Sequence, residues 1–348
     1  MKGKSIAVLL LVIILCAVWY VYKSQKPNTV IAAFYYWKSV YKISNEERIL
    51  LDTLHVKRLY IKYFDVIWNP DLNQPAPEAV LKFSSIPDLS IEFIPVVFIV
   101  NDVLKKCNND NIDSLSIHVS SLLKKINETN KISIKEIQFD CDWSDETKKK
   151  YFRLLKKVES QFQVEKILFS ATIRLHQIKY YQRTGIPPVQ RGMLMFYNMG
   201  QLQNPLTKNS IFDEDVAGKY IDFVKAYPMH LDYALPVFTW GVHIRNNKVI
   251  NLENNISAAD MDSIKQIQSI AADKFMVTDG FFFHGEYFLK GDVIRIEEVT
   301  PELALKAAKL LSDETNNKNF TVSLFHLDSA NTKRYANKDF ENIYHSFN

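Results

Sequence analysis

The feature that most constrains this chain is an alternation repeated eight times, in which a short run of β-branched and aromatic residues gives way to a longer polar or helix-period stretch. The runs occupy residues 30–37, 58–66, 91–100, 134–143, 166–175, 193–199, 233–240 and 320–328. Strands joined by connections this long pair in parallel, and a parallel sheet is covered on both faces, so the pattern reads as repeated strand–helix units. Eight such units match a closed (β/α)8 barrel, the TIM barrel of the α/β class. The competing topology is an open doubly wound sheet, but the glycine-rich turn that a dinucleotide fold needs after its first strand is absent.

Helices are expected over residues 45–54, 112–126, 144–158, 213–226, 258–272 and 301–312. The last opens Thr300-Pro301-Glu302, a capping hydroxyl followed by proline in the first turn. The seventh connection is overlong, and strand-like runs on either side of Lys290-Gly291-Asp292 predict an added hairpin near 281–298 that roofs one side of a groove. One barrel domain over residues 29–348 accounts for the rest of the chain, because α/β barrels reach this size around a single core.

Residues 1–28 read differently. After Lys2 and Lys4, residues 6–22 carry no charge, and as a helix they span about 25 Å, enough to cross a hydrocarbon core. The run ends in Trp19, Tyr20 and Tyr22, which suit a headgroup interface better than a peptidase site. Lipid attachment at Cys16 is disfavoured by the bulky Leu15 before it. An uncleaved anchor is therefore expected, with the membrane as a partner and the barrel on the extracytoplasmic side, periplasmic or at the cell surface.

The chain carries 43 basic and 39 acidic residues with no basic block, which argues against nucleic acid as a partner. Its three cysteines, Cys16, Cys107 and Cys141, form no disulfide framework, and the eight histidines lack paired metal-ligand spacing. Neither metal nor cofactor is expected.

The fourth run carries the chemistry. In Glu136-Ile137-Gln138-Phe139-Asp140-Cys141-Asp142-Trp143, alternation places Gln138, Asp140 and Asp142 on one face and the apolar residues on the other. The polar face points into the barrel, where two carboxylates close together push one pKa upward. Barrel active sites lie at the C-terminal strand ends, so Asp142 is read as proton donor and Asp140, one layer deeper, as its modulator. Ser170, Thr172 and Arg174 form a similar stack on the fifth run, with Arg174 emerging at the mouth. No nucleophilic serine elbow or activated cysteine appears. Aromatics and an amide close the sixth and seventh runs, among them Tyr197, Asn198 and Trp240.

Several of these segments resemble family 18 glycoside hydrolases, the chitinase-like barrels: Phe34-Tyr35-Tyr36-Trp37, the Asp-x-Asp-Trp of Asp140 to Trp143, Met195-Phe196-Tyr197-Asn198 and Leu235-Pro236-Val237-Phe238. Over residues 30–330 the chain is also similar to a bacterial barrel family of unknown function, domain of unknown function 3142, through its Ile-Gln-x-Asp-x-Asp segment from Ile137 to Asp142. The chitinase resemblance implies that Tyr197 holds the substrate's acetamido oxygen while a carboxylic acid protonates the leaving oxygen. It also implies a catalytic glutamate at a position that here is Ser144. Asp142, Asp140 and Tyr197 are the catalytic candidates, and Gln138, Trp143, Arg174, Asn198, Trp240 and Tyr36 the substrate-binding ones. The function expected is that of a glycoside hydrolase-like envelope protein acting on or binding a polysaccharide or oligosaccharide in the barrel mouth. The alternative is a non-catalytic carbohydrate-binding or envelope-assembly protein whose aromatics hold a glycan and whose aspartates only accept hydrogen bonds.

Overall fold

Each of the eight runs becomes a parallel strand of one closed sheet: Thr29–Tyr36, Arg58–Asn69, Glu92–Ile99, Glu136–Asp140, Leu168–Arg174, Arg191–Met195, Leu231–Pro236 and Asn319–Phe325. Consecutive strands pair in parallel, and the first also pairs with the eighth, which closes the barrel and excludes the open sheet. The structure is a computed structural model, and it describes residues 29–347 apart from 86, 88, 89, 205, 206, 316 and 317. The expected anchor at residues 6–22 lies outside the described residues. Among those described, no helix is long and apolar enough to cross a membrane.

Alternation along the strands sorts apolar side chains to the helix layer and polar ones to the barrel interior. On the fourth strand, Phe139 stacks on Phe169 of the fifth, and the hydroxyl of Tyr151 on the covering helix Lys148–Ser160 reaches the Phe139 carbonyl. The interior face is polar far below the mouth. Ser170 donates to Glu136 Oε1 at 2.6 Å, Tyr35 to Gln138 Oε1 at 2.5 Å, and Gln138 Nε2 to Ser170 Oγ at 3.4 Å. Across the barrel, Arg58 donates to Thr321 at 2.9 Å, and the Thr321 N–H donates to Asp232 at 2.7 Å. Barrel interiors are more often layers of bulky apolar residues. Here the polar groups just named satisfy one another, as most buried polar groups do, while the buried Ser323 hydroxyl on the eighth strand lacks a partner among the described residues.

Three of the expected helices form close to their expected bounds, as Asn45–Thr53, Asn109–Asn130 and Pro301–Ser312. The first is held by a capping box between Ser44 and Glu47, worth about 1 kcal/mol. The helix expected over 144–158 begins later, at Lys148, because Ser144 and Thr147 make the turn that precedes it. The helix expected over 213–226 is cut to Glu214–Ala217 and a single 3-10 turn, Ile221–Phe223, with Gly218 ending the first piece. Ala258–Asp262 is all that forms of the helix expected over 258–272. Ile267–Ala271 is instead a strand, paired antiparallel to Lys274–Val277. A final helix, Asn337–His345, was not anticipated; it packs in the outer layer against Pro301–Ser312, sets Phe340 on Phe34 of the first strand at 5.9 Å and donates the Tyr344 hydroxyl to the Ala33 carbonyl at 2.8 Å.

Between the seventh and eighth strands the chain builds more than a hairpin. Lys248–Asn254, Thr239–Arg245, Val293–Glu298, Lys274–Val277 and Ile267–Ala271 form a five-stranded antiparallel sheet in that order. The expected pairing across Lys290-Gly291-Asp292 does not occur. Glu286–Phe288 pairs with Phe281–Phe283 around His284 and Gly285, while Val293–Glu298 sits inside the sheet. Residue 240, read as the end of a barrel strand, therefore belongs to this inserted sheet.

Burial raises Glu136 from the ordinary 4.5 to about 7, against the pull of its Ser170 hydrogen bond and of Arg191. Between those values the folded chain keeps a proton that the unfolded chain has released, so stability falls as pH rises toward about 7 and stays reduced above it. Glu136→Gln removes this dependence. Urea unfolding is expected to show the variant more stable than wild type by about 3 kcal/mol at pH 8 and by under about 1 kcal/mol at pH 5. A difference that does not change with pH would rule this out.

Candidate active site

A cavity of about 470 Å³ opens at the C-terminal ends of the barrel strands. Asp140 forms part of its floor, Arg174, Met195 and Tyr197 stand on one side, and Trp37, Lys38 and Phe98 on another. The inserted sheet adds Trp240, Asn254 and Asn255, and the end of the eighth strand adds Phe325, His326 and Asp328. An adjoining hollow of about 320 Å³ shares Arg174, Tyr197 and Asn198 and is completed by Asp142, His176 and Tyr220, among others.

Arg174 joins the two carboxylates. Its Nη2 lies 3.2 Å from Asp140 Oδ1, and its Nε donates to Asp142 Oδ1. The aspartates are not equivalent: the Asp140 side chain is 4% exposed and that of Asp142 59%. Burial raises the Asp140 pKa; Arg174 and the 2.6 Å hydrogen bond from Thr172 oppose this, and Asp142 reinforces it. Arg174 itself is held charged: burial works against it, but Asp140 and Asp142 outweigh that and raise its pKa. Burial thus biases the Asp140 carboxyl toward its protonated form.

Tyr197 packs edge-on to Phe238, with ring centres 5.9 Å apart, and tilted on Phe325 at 5.3 Å. Its hydroxyl lies 3.6 Å from Met195 Sδ, and burial pushes its pKa well above the usual value. Asn198 follows in the left-handed region at φ 54°, which turns the chain sharply off the strand, and its N–H donates to the Ile211 carbonyl at 2.7 Å. Trp240 presents its ring to the cavity while its indole N–H is anchored on Glu297 at 2.8 Å.

His326 was not anticipated. Arg334 Nη2 donates to Asn331 Oδ1 at 3.2 Å, so the Asn331 amide nitrogen, 3.3 Å from His326 Nε2, must be the donor there. Nε2 accepts, and burial pulls the imidazole down to about 4, which leaves a neutral ring with its proton on Nδ1. The position two residues before Asp328, at the end of the eighth run, was its only signal. Asn254 and Asn255 had no local signal, because they reach the mouth only through the inserted sheet.

Three expected substrate contacts are not at the mouth. Trp143 is fully buried on the outer face of the barrel, where it stacks on Tyr151 at 5.1 Å and donates its indole N–H to the Thr184 carbonyl at 3.0 Å. The alternation that directs Asp140 and Asp142 inward directs Trp143 outward. Tyr36 likewise faces outward and donates its hydroxyl to the Val40 carbonyl at 2.7 Å, whereas Tyr35 and Trp37 occupy the inward side. Gln138 is inward but fully buried beneath the cavity, its amide engaged by Tyr35 and Ser170. Ser144, at the position of the resembled family's glutamate, lies outside both hollows. Its N–H donates to Thr147 Oγ1 at 2.9 Å, and Thr147 in turn donates to Asn101 at 2.7 Å.

No family model matches the chain, and no curated protein matches it. Solved structures do. The chain is similar to the spore cortex-lytic enzyme SleL of Bacillus megaterium QM B1551, with TM-score 0.57 and 13% identity over 93% of this chain and 75% of that one. It is also similar to SleL of Bacillus cereus, with TM-score 0.55 and 12% identity over the same shares, 93% and 75%. A chitinase from Chromobacterium violaceum ATCC 12472 matches at TM-score 0.51 and 9% identity over 92% of this chain and 98% of that one. These likenesses show a shared fold, the closed eight-stranded parallel barrel.

Removing the guanidinium leaves Asp140 buried without its cation. Arg174→Met is expected to cost about 3 kcal/mol at pH 7 in urea unfolding. The Asp140 pKa lies above its unfolded value, so as pH falls the folded chain takes that proton first and the cost of the buried charge fades. The loss should therefore shrink at pH 5. A loss as large at pH 5 as at pH 7 would assign the effect to packing.

Proposed function

We propose that this chain is a glycoside hydrolase-like protein that holds a polysaccharide or oligosaccharide in the barrel mouth. One observation carries the reading: the cavity combines aromatic faces, Trp37, Tyr197, Phe238 and Trp240, with hydrogen-bonding groups set between them, Lys38, Asp140, Arg174, Asn254 and Asp328. Sugar rings offer an apolar face and a rim of hydroxyls, so rings for stacking interleaved with donors and acceptors suit them. The neighbours named SleL and chitinase share the barrel, which supports a glycan without naming the sugar.

Binding without turnover is the reading favoured here. Arg174 engages both aspartates, and the position that the family 18 resemblance gives to a catalytic glutamate is Ser144, which is occupied in a turn. Hydrolysis is the second reading, supported by the raised pKa of the buried Asp140 next to the exposed Asp142. On that reading Asp142 and Asp140 divide proton donation and its modulation, and Tyr197 steadies an acetamido oxygen. No family model supports the resemblance to domain of unknown function 3142, and it carries neither reading. We further propose that residues 6–22 anchor the barrel on the extracytoplasmic side of a membrane.

Calorimetry of the purified chain against β-linked and N-acetylated oligosaccharides, with product analysis of the same mixtures, tests the first proposal. Wild type and Asp142→Asn are both expected to bind an oligosaccharide, with no product from either. Product from wild type but not from Asp142→Asn would establish the hydrolase reading, and absence of binding by both would remove the glycan.

A further inference from the structure

A buried ion pair outside the cavity sets two of its walls. Glu297 and Arg295 lie on the inserted strand Val293–Glu298, and neither reaches solvent. Arg295 donates to Glu297 Oε1 from Nε at 2.7 Å and from Nη2 at 2.7 Å, and its remaining reach goes to the carbonyls of Asn204 and Leu202, both at 3.3 Å. Glu297 Oε2 accepts from the Trp240 indole at 2.8 Å, from the Ser210 N–H at 2.8 Å and from the Ser210 hydroxyl.

Ser210 is the return leg of the segment that leaves the sixth strand through Tyr197 and Asn198. That segment is cross-tied by Asn198 N–H to the Ile211 carbonyl at 2.7 Å and by Gly200 N–H to the Ser210 carbonyl at 3.1 Å. The approach is so close that a Cβ at Gly200 would sit 2.6 Å from Ser210 Cα. One carboxylate therefore ties the tryptophan on the inserted sheet to the segment that carries Tyr197 and Asn198.

Apolar side chains of the same volume would hold the sheet to this segment at lower cost, because a buried ion pair is often no more stable than its hydrophobic replacement. Direction is what they would not supply. A carboxylate accepting several hydrogens fixes the orientation of each donor, and the arginine fork fixes the carboxylate. We propose that Glu297 is a positioning residue of the mouth: it holds the Trp240 indole and Ser210, which is tied to Asn198 and Gly200, at one spacing, so that Trp240 and Tyr197 face the same sugar. The proposal rests on the glycan reading of the cavity.

The test uses the full chain, a hexamer of β-1,4-linked N-acetylglucosamine as probe, and the double variant Arg295→Met/Glu297→Met, which removes both charges together. Affinity is read by calorimetry. The surroundings of Trp240 are read by acrylamide quenching, as the difference between each protein and the same protein carrying Trp240→Phe. The double variant is expected to bind at least tenfold more weakly and to expose Trp240 to at least twice the quenching. Trp240→Phe, which weakens wild type, should weaken the double variant no further. Arg295→Met/Glu297→Gln, which keeps an amide oxygen for Trp240 and Ser210 and leaves no arginine buried without its carboxylate, should retain affinity within about threefold of wild type, a rescue that a merely structural role does not predict. A folded double variant with wild-type quenching overturns the proposal, as does one with loosened Trp240 and unchanged affinity. If wild type itself ignores the hexamer while quenching responds as expected, the glycan reading fails and the positioning of Trp240 by Glu297 stands.

Discussion

Closing eight parallel strands into a barrel forces every second side chain into an interior with little water, and the rest of this molecule follows from how its polar residues meet that condition. Glu136, Gln138 and Asp140 cannot turn outward without taking Ile137 and Phe139 out of the helix layer. They must be satisfied from neighbouring strands, and Ser170, Tyr35 and Thr172 supply the hydrogens. Each level of the ladder has its partner on the strand beside or across from it. At the top level the partner is Arg174, which serves two carboxylates at different depths. There the protein's own donors give way to open cavity, and a ligand can become a partner.

The inserted sheet extends the same logic beyond the barrel. It carries two buried charge groups, of which one fastens the rim and the other a hairpin of the insertion itself. Arg295 and Glu297 hold Trp240 and the segment after the sixth strand. Farther from the barrel, Asp292 takes both Arg245 and His243. Burial works against its charge, but the hydrogen bonds from Arg245, His243 and the Leu289 N–H prevail and hold it at about 2. That cluster secures the Phe281–Phe288 hairpin, with Arg245 reaching the Tyr287 carbonyl at 3.3 Å and Phe288 packed on the His243 ring at 4.3 Å. Charge in this sheet is used to set geometry where a small two-layer unit has little apolar core to do so.

All eight barrel strands were legible because period-two alternation and β-branched composition act locally, and the crossover lengths left little freedom in how the strands pair. The inserted sheet was less legible. Ile264, Ile267 and Ile270 fall at helical spacing, and only the presence of Lys274–Val277 as an antiparallel partner makes Ile267–Ala271 a strand. For the site, alternation read strictly would have sufficed at two positions. Trp143 is odd-numbered beside an inward even series, and Tyr36 is even-numbered beside the inward Tyr35, yet motif resemblance pulled both toward the mouth. Trp240 reached the cavity by a route the sequence did not suggest, through the sheet and not along a barrel strand. His326 was marked only by its place at the end of the eighth run, and Asn254 and Asn255 depend on tertiary closure alone.

Resemblance in the fourth strand and absence of the glutamate are reconciled by where the strand ends. Regular pairing stops at Asp140, and by Ser144 the chain has already entered the turn that starts the next helix. A carboxylate two residues past Asp142 would have to leave that turn to reach the cavity. Asp142, on the shorter path, reaches the rim but meets Arg174 there, and Arg174 is itself anchored deeper by Asp140. The guanidinium thus takes acceptor capacity that a proton-donating pair would need, and it adds a fixed positive charge between them. The triad of one guanidinium and two carboxylates has no net positive charge to repel a developing cationic sugar, so what works against proton donation here is the engagement of both aspartates by Arg174. The engagement of both carboxylates is thus the physical ground for proposing binding in preference to hydrolysis at this site.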